Sequence, residues 1–141
     1  MYCIREVDGT DEEIADTLRA LHTLTFFDSA PPINPEVGHW WLAYCGGDAV
    51  AFAGMRPSIT LPSFGYLERV GVLPGHRGHG LQRRLLRCRE ARAKRNGWLG
   101  VISDTTDNVP SANNLIASGY RIFSPKAPWS FSSAVYWRKV F

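Results

Sequence analysis

Hydrophobic and polar positions along this chain switch between a period near two and a period near 3.6, and the switches outline its elements. Residues 2–7 predict a first strand. Thr10 with Glu13 three residues on has the form of a capping box, and Ile14, Leu18, Leu21 and Leu24 then recur at helical spacing. Ala30-Pro31-Pro32-Ile33-Asn34-Pro35 ends that helix in a loop. Residues 39–45 and 49–55 read as strands flanking Gly46-Gly47-Asp48, a hairpin turn signal. A loop through Pro57 and Pro62 leads to a long strand over 65–73. Leu81, Leu85, Cys88 and Ala91 form one stripe of a helix that runs to about Asn96, with Gly97 suited to the C′ position. Then come a short buried strand (99–103), a helix (111–118) and a strand (120–123). Pro125 and Pro128 mark a loop before a last strand over 134–140. The order β-α-β-β-β-α-β-α-β-β is that of an α/β (α+β) domain with a mixed sheet, and a chain of 141 residues predicts one domain spanning 1–141.

Composition narrows the class. An apolar content of 45% with 21% charged residues is that of a soluble globular protein. No apolar run approaches the ~20 residues that span a bilayer, and Met1-Tyr2-Cys3-Ile4-Arg5-Glu6 lacks the apolar region of a signal peptide. Cys3, Cys45 and Cys88 are odd in number and lack zinc-ligand spacing, so reduced thiols in a cytoplasmic protein are expected, with no metal site.

The net charge of +3 is modest, but eight of the sixteen Lys/Arg fall between Arg77 and Arg95, which concentrates positive potential on one loop and helix. Asp8, Asp11, Glu12, Glu13 and Asp16 crowd the N-terminal region instead. Arg84, Arg89, Arg92 and Lys94 read mostly as a solvated face, whereas the basic residues nearest the loop are placed to meet phosphate. Nucleic-acid binding ranks low, because the aromatic residues are not interleaved with this cluster as a stacking surface requires.

That loop is the most informative segment. The run Val70-Gly71-Val72 breaks at Leu73-Pro74, passes through Gly75-His76-Arg77-Gly78-His79-Gly80 and enters the helix at Leu81-Gln82. Such a construction suits a pyrophosphate: glycines admit a ligand close to the backbone, and the first-turn N–H groups of the helix face the anion. Gly75 and Gly80 have P-loop spacing, but Leu81-Gln82 stand where lysine and a hydroxyl are needed. Gly78 and Gly80 begin a dinucleotide fingerprint, but Arg83 stands at its third glycine.

The pattern that fits is Arg/Gln-x-x-Gly-x-Gly/Ala after a strand ending Val-x-Pro, here Arg77-Gly78-His79-Gly80-Leu81-Gln82 after Val72-Leu73-Pro74. It resembles the acyl-CoA signature of the GNAT superfamily of N-acetyltransferases, with Gln82 replacing the usual small residue at the last place. A second stretch, Asn108 to Tyr120, resembles the family's later helix. Asn108, Ser111-Ala112 and Gly119-Tyr120 match in register, while Leu115 replaces the tyrosine that serves many members as general acid. The predicted order of elements is also that of the family, whose sheet is mixed, mainly antiparallel and flanked by helices.

The resemblance implies acetyl-CoA as cosubstrate and acetyl transfer to an amine, on a small molecule or a protein, by direct attack in a ternary complex. It implies cofactor contacts for Val70, Gly71, Val72, Arg77, Gly78, His79, Gly80, Leu81, Gln82 and Asn108, the first three pairing with the pantetheine arm through their backbone. A homodimer is compatible with it.

The amine must also lose a proton. Glu68 shares a pleat face with Val70 and Val72 and is the favoured base, against the alternative of an ion pair with an arginine on a neighbouring strand. Ser103 and Asp104 are the rival site. His76 and His79 are read as serving the loop, and His22 and His39 receive no role. Tyr136 and Tyr120 are substitutes for the missing acid, Tyr120 being better suited to the core. Trp40, Trp41, Phe26, Phe27, Trp129 and Tyr136 are candidate walls of an acceptor pocket, with core packing the plainer use for most. Leu115 also leaves room for a catalytically silent acyl-CoA-binding module.

Overall fold

The periodic segments form the expected elements with small shifts at their ends. The computed structural model describes residues 1–27 and 30–141. Its elements are β1 (Tyr2–Val7), α1 (Glu12–Thr25), β2 (His39–Cys45), β3 (Asp48–Pro57), β4 (Phe64–Val72), a 3-10 turn (Pro74–His76), α2 (Leu81–Arg95), β5 (Gly100–Thr105), α3 (Val109–Ala117), β6 (Arg121–Ile122) and β7 (Val135–Val140). Hydrogen bonding orders the strands β1-β2-β3-β4-β5-β7-β6 in one mixed, mainly antiparallel sheet. No helix among the described residues is long and apolar enough to cross a membrane. The chain divides into two compact units, Met1–Arg56 with Glu68–Leu86 and Pro57–Leu67 with Arg87–Phe141, so β4 and α2 contribute residues to both.

In the first unit, β1 pairs antiparallel with β2, and β2 with β3. Gly46 and Gly47 close the β2–β3 hairpin with φ of 59° and 90°, the left-handed pair that a tight two-residue turn requires. Leu18 and Leu21 of α1 pack with Trp40, Leu42 and Phe52 in one buried cluster. Full burial of such side chains contributes ~1.5–3 kcal/mol each. The N-cap of α1 is Asp11, not Thr10: the Thr10 hydroxyl donates to Asp8 Oδ1, and the Asp11 carboxylate accepts from the Ile14 N–H at 3.1 Å. Leu24 is exposed, because it falls outside the helical arc of Ala15, Leu18, Leu21 and His22 that meets the core.

In the second unit, β5 pairs in parallel with the start of β4, through Phe64–Gly100, Gly65–Val101 and Tyr66–Ile102, and antiparallel with β7. The fifth strand begins at Gly100 rather than at 99, and Leu99 is exposed. β6 is shorter than expected because Tyr120 turns into the core, where its hydroxyl donates to Glu90 Oε2 at 2.7 Å. α3 starts at Val109 rather than 111, with Asn108 as its cap.

The buried stripe of α2 is Leu81, Leu85, Leu86, Arg89, Glu90 and Ala93, whereas Ala91 is exposed and Cys88 half-buried. Arg89, expected on a solvated face, is therefore inside. Beside it Glu90 is buried and fully engaged, taking Lys139 Nζ at 3.0 Å as well as Tyr120. Gly97, at φ 76°, ends α2 as the C′ residue, with Trp98 N–H reaching back to Ala93 C=O.

Candidate active site

The glycine loop grows directly from β4. Leu73 N–H donates to Val50 C=O at 3.0 Å, which holds the end of the strand beside β3. Pro74 then fixes one 3-10 turn, closed by His76 N–H to Leu73 C=O at 2.9 Å. Gly78 and Gly80 follow with φ of 79° and 74°, and a Cβ placed at Gly75, Gly78 or Gly80 would meet nothing within 4 Å. The protein's own packing does not require these glycines. They leave a strip of backbone bare and exposed. The hydrogen-bond ladder of α2 begins with Arg84 N–H to Gly80 C=O, so Gly80 caps the helix and the strip lies at its positive end. Leu81 is buried and anchors the first turn, and Gln82 beside it is half-buried.

Side chains brace the loop. The Tyr2 hydroxyl lies 3.0 Å from His76 Nδ1, and its ring packs 5.6 Å from that of His79. This tether joins residues 74 positions apart, and nothing local in the sequence announces it. His79 Nδ1 lies 3.2 Å from His76 C=O. Arg77 folds back so that Nε donates to Val72 C=O at 3.2 Å. Its terminal nitrogens have no protein partner among the described residues.

The two faces of β4 differ. A Cβ on Gly71 would collide with Thr25 Oγ1 and with the Phe52 ring, so that glycine serves the packing of α1. On the same face Arg69 Nη1 lies 2.6 Å from His22 Nε2, also donates to Pro31 C=O, and its guanidinium sits 5.3 Å over Phe26. Burial, then the Arg69 charge, holds the His22 pKa below the usual imidazole value, so His22 is neutral and accepts from Arg69. On the opposite face, Glu68 Oε1 lies 3.2 Å from Arg56 Nε on β3, with the glutamate side chain 12% and the arginine side chain 43% exposed. The ion pair that the sequence left as an alternative for Glu68 is present.

Asn108, Leu115, Tyr120, Asp104, Trp129 and Tyr136 belong to the second unit. Asn108 accepts the Ser111 N–H at 3.1 Å, so its carbonyl oxygen is used as a cap. Leu115 is buried, as is Tyr120, whose pKa burial and the Glu90 carboxylate push far above the usual phenol value, so it stays protonated. Asp104 Oδ2 accepts from both Tyr66 Oη (2.8 Å) and Trp129 Nε1 (2.7 Å), and Tyr136 Oη accepts the Ser130 N–H at 3.0 Å. Among the candidate walls, Trp40 and Trp41 are core residues, Phe26 stacks on His22, Phe27 is exposed, and Trp129 packs against Tyr136 at 4.5 Å. An open cavity of about 390 Å³ in the first unit, bordered by Glu6, Asp8, Glu36 and His39, coincides with none of the residues singled out as sites from the sequence.

Comparison with known proteins bears on this geometry. The sequence matches the Acetyltransferase (GNAT) family over residues 7–120. A Klebsiella pneumoniae protein provisionally named an acyl-CoA N-acyltransferase is 25% identical and superposes with a TM-score of 0.71, over 99% of this chain and 97% of that one. The Escherichia coli ribosomal-protein-S18-alanine N-acetyltransferase is 15% identical at a TM-score of 0.74, over 98% and 92% of the two chains. A Salmonella typhimurium protein provisionally named an acetyltransferase, in complex with its cofactor acetyl-CoA, is 16% identical at 0.73, over 99% and 94%. No curated protein matches the sequence.

Proposed function

The chain belongs to the GNAT acetyltransferase family, and from that premise we propose that it moves the acetyl group of acetyl-CoA to an amine by direct attack with both substrates bound, residues 1–141 acting as one domain. The observation that carries this reading is the strip at Gly78 and Gly80, left-handed, exposed and free of packing demands, at the capped start of α2. Backbone of that kind fits a pyrophosphate, and the terminal nitrogens of Arg77 supply charge beside it. His79, Leu81 and Gln82 complete the cradle, and the backbone of Val70, Gly71 and Val72 is assigned to the pantetheine arm. Asn108 has the weakest claim on the cofactor, since capping α3 already uses its oxygen.

Acetyl-CoA supplies an activated acetyl thioester. The chain's task is to hold that group at the amine and to accept the amine's proton. Glu68 is assigned the proton, as the acid on the cofactor strand. Arg56 Nε lies 3.2 Å from its Oε1 and orients the carboxylate. No side chain is assigned as general acid. With Leu115 at the family's tyrosine position, CoA leaves as a thiolate, tolerable for a thiol of pKa about 8.5.

The silent acyl-CoA-binding module remains the second reading, carried by the burial of Leu115. A nucleic-acid surface loses ground, because Arg89 is turned inward from the basic helix. Thermal unfolding with and without acetyl-CoA tests the cofactor, and a screen of amines then tests turnover. At one hundred times its dissociation constant a ligand stabilises by about 2.7 kcal/mol, a shift of roughly 5–15 °C at this size. Gly80→Glu is expected to abolish the shift while the variant still folds. An unshifted wild type would remove the cofactor, and a shift without acetylation of any amine would favour the silent module.

A further inference from the structure

The brace of the glycine loop holds two ionisable rings, and all of its parts lie in the first unit. His79 Nδ1 lies 3.2 Å from His76 C=O. A carbonyl only accepts, so that nitrogen carries the proton and Nε2 is the basic atom of His79. His76 Nδ1 instead faces the Tyr2 hydroxyl at 3.0 Å. A phenol can donate to the neutral ring and accept from the charged one. Nε2 of either ring has no protein partner among the described residues. Each ring can therefore gain a proton without breaking the contact that holds it.

The surroundings decide when that proton arrives. Neither imidazole pairs with a carboxylate among the described residues. The titratable and charged groups about them are Tyr2 of β1 with the Met1 amino group next to it, Cys45 opposite Tyr2 on β2, Arg77 between the two histidines, and Arg83 and Arg84 in the first turn of α2. The arginines and the positive end of α2 oppose a further positive charge in the empty loop. The pyrophosphate assigned to this loop carries two negative charges and reverses that balance. The Tyr2 ring, 5.8 Å from that of His76 and 5.6 Å from that of His79, packs against both and keeps them at the loop.

We propose that His76 and His79 are proton-binding members of the cofactor site: acetyl-CoA binds with uptake of protons at these rings, and its affinity rises as pH falls through the range in which imidazole titrates. The proposal rests on the acetyl-CoA reading of the loop and adds a regulation of that site. Its sign follows from linkage, since the complex binds more protons than the free protein and falling pH favours the complex. Imidazole changes charge between about pH 5 and 8, which confines the effect to that window. Arg77 cannot supply it, because a guanidinium stays charged throughout. In a loop open to solvent and salt, the two new charges should together strengthen binding roughly fivefold.

The test is calorimetric titration of the full chain with acetyl-CoA between pH 7.5 and 5.5, in pairs of buffers that differ in ionisation enthalpy so that protons taken up on binding are counted. The reference is the double variant His76→Asn with His79→Asn, whose amides can keep hydrogen bonds to Tyr2 and to the carbonyl of residue 76 but do not titrate. The 3′-phosphate of the ligand also titrates, near ~6 for a phosphate monoester, and cancels in the ratio of the two proteins. The affinity of the wild type relative to the variant should rise about fivefold as pH falls, with more protons taken up by the wild type near pH 6.5. Each single variant should remove part of the rise, which covers a double variant that folds poorly. A ratio that does not change with pH, or equal proton counts, would overturn the proposal while leaving acetyl transfer intact. A wild type that binds no acetyl-CoA at any pH would instead overturn the cofactor reading, and the proton linkage with it.

Discussion

The two faces of β4 are put to opposite uses. On one, Gly71 lies so close to Thr25 and Phe52 that no side chain fits, and Arg69 is committed to His22, Pro31 and Phe26. On the other, Glu68 meets Arg56. The pleat alone separates them, since successive side chains point to opposite faces. A central strand can thus fix a helix with its odd positions and carry polar chemistry on its even ones, one residue apart. Substitutions on the first face should therefore act on stability, and those on the second on catalysis.

The largest effect expected is on the packing face. Gly71→Ala places a methyl group against Thr25 Oγ1 and Phe52, and overpacking of this kind costs about 1–3 kcal/mol. Thermal unfolding without ligand should show the loss. An unchanged melting temperature with weakened acetyl-CoA binding would make Gly71 a ligand glycine and dissolve the contrast. On the opposite face, Glu68→Gln should leave the melting temperature nearly unchanged and lower kcat. The fall should be about tenfold, below the usual range for loss of a general base, because Arg56 already engages the carboxylate. If kcat is unchanged while stability falls, Glu68 is only an ion-pair partner. Smaller again is Tyr2→Phe, which removes the hydroxyl that braces His76. A neutral hydrogen bond of this sort contributes about 0.5–1.5 kcal/mol net, and the expected readout is a severalfold weaker acetyl-CoA affinity by calorimetry. Unaltered affinity would mean that the loop holds its shape without β1.

What was legible in the sequence divides along physical lines. The glycine loop could be read because its requirements are local: left-handed φ at Gly78 and Gly80, a fixed φ at Pro74, and a helix start at Leu81. The pleat also placed Glu68 on the face of Val70, and an arginine partner was one of its two readings, but which arginine depends on how β3 lies against β4. Contacts that depend on register were out of reach. Asp104 reads as a rival base and Trp129 as a pocket wall, yet nothing in the spacing says that they bond, since that requires β5 beside β7. The inward turn of Glu90 is hidden for the same reason, because Lys139 and Tyr120 come from distant segments. Even the cap of α1 turned on a local competition, Asp8 taking the Thr10 hydroxyl and leaving the helix start to Asp11.

The smallest expected effect sharpens the contrast by pH. His22 on α1 accepts from Arg69, with Phe26 stacked on its ring at 4.9 Å and Phe52 edge-on at 6.1 Å. Burial, and secondarily the Arg69 charge, hold its pKa below the unfolded value of about 6.5. Above that pH the imidazole is neutral in both states and the contact is at full strength. As pH falls, the unfolded chain takes up the proton first, so stability is lost from about pH 6.5 downward, through the folded-state pKa. His22→Gln keeps an acceptor for Arg69 but cannot titrate. Its unfolding midpoint should therefore fall less than that of the wild type between pH 7.5 and 5.5, with acetyl-CoA affinity of the folded protein the same in both. Parallel stability profiles would mean that the Arg69–His22 contact does not fasten this face of β4, and that Gly71 and the apolar core beneath it hold α1 unaided.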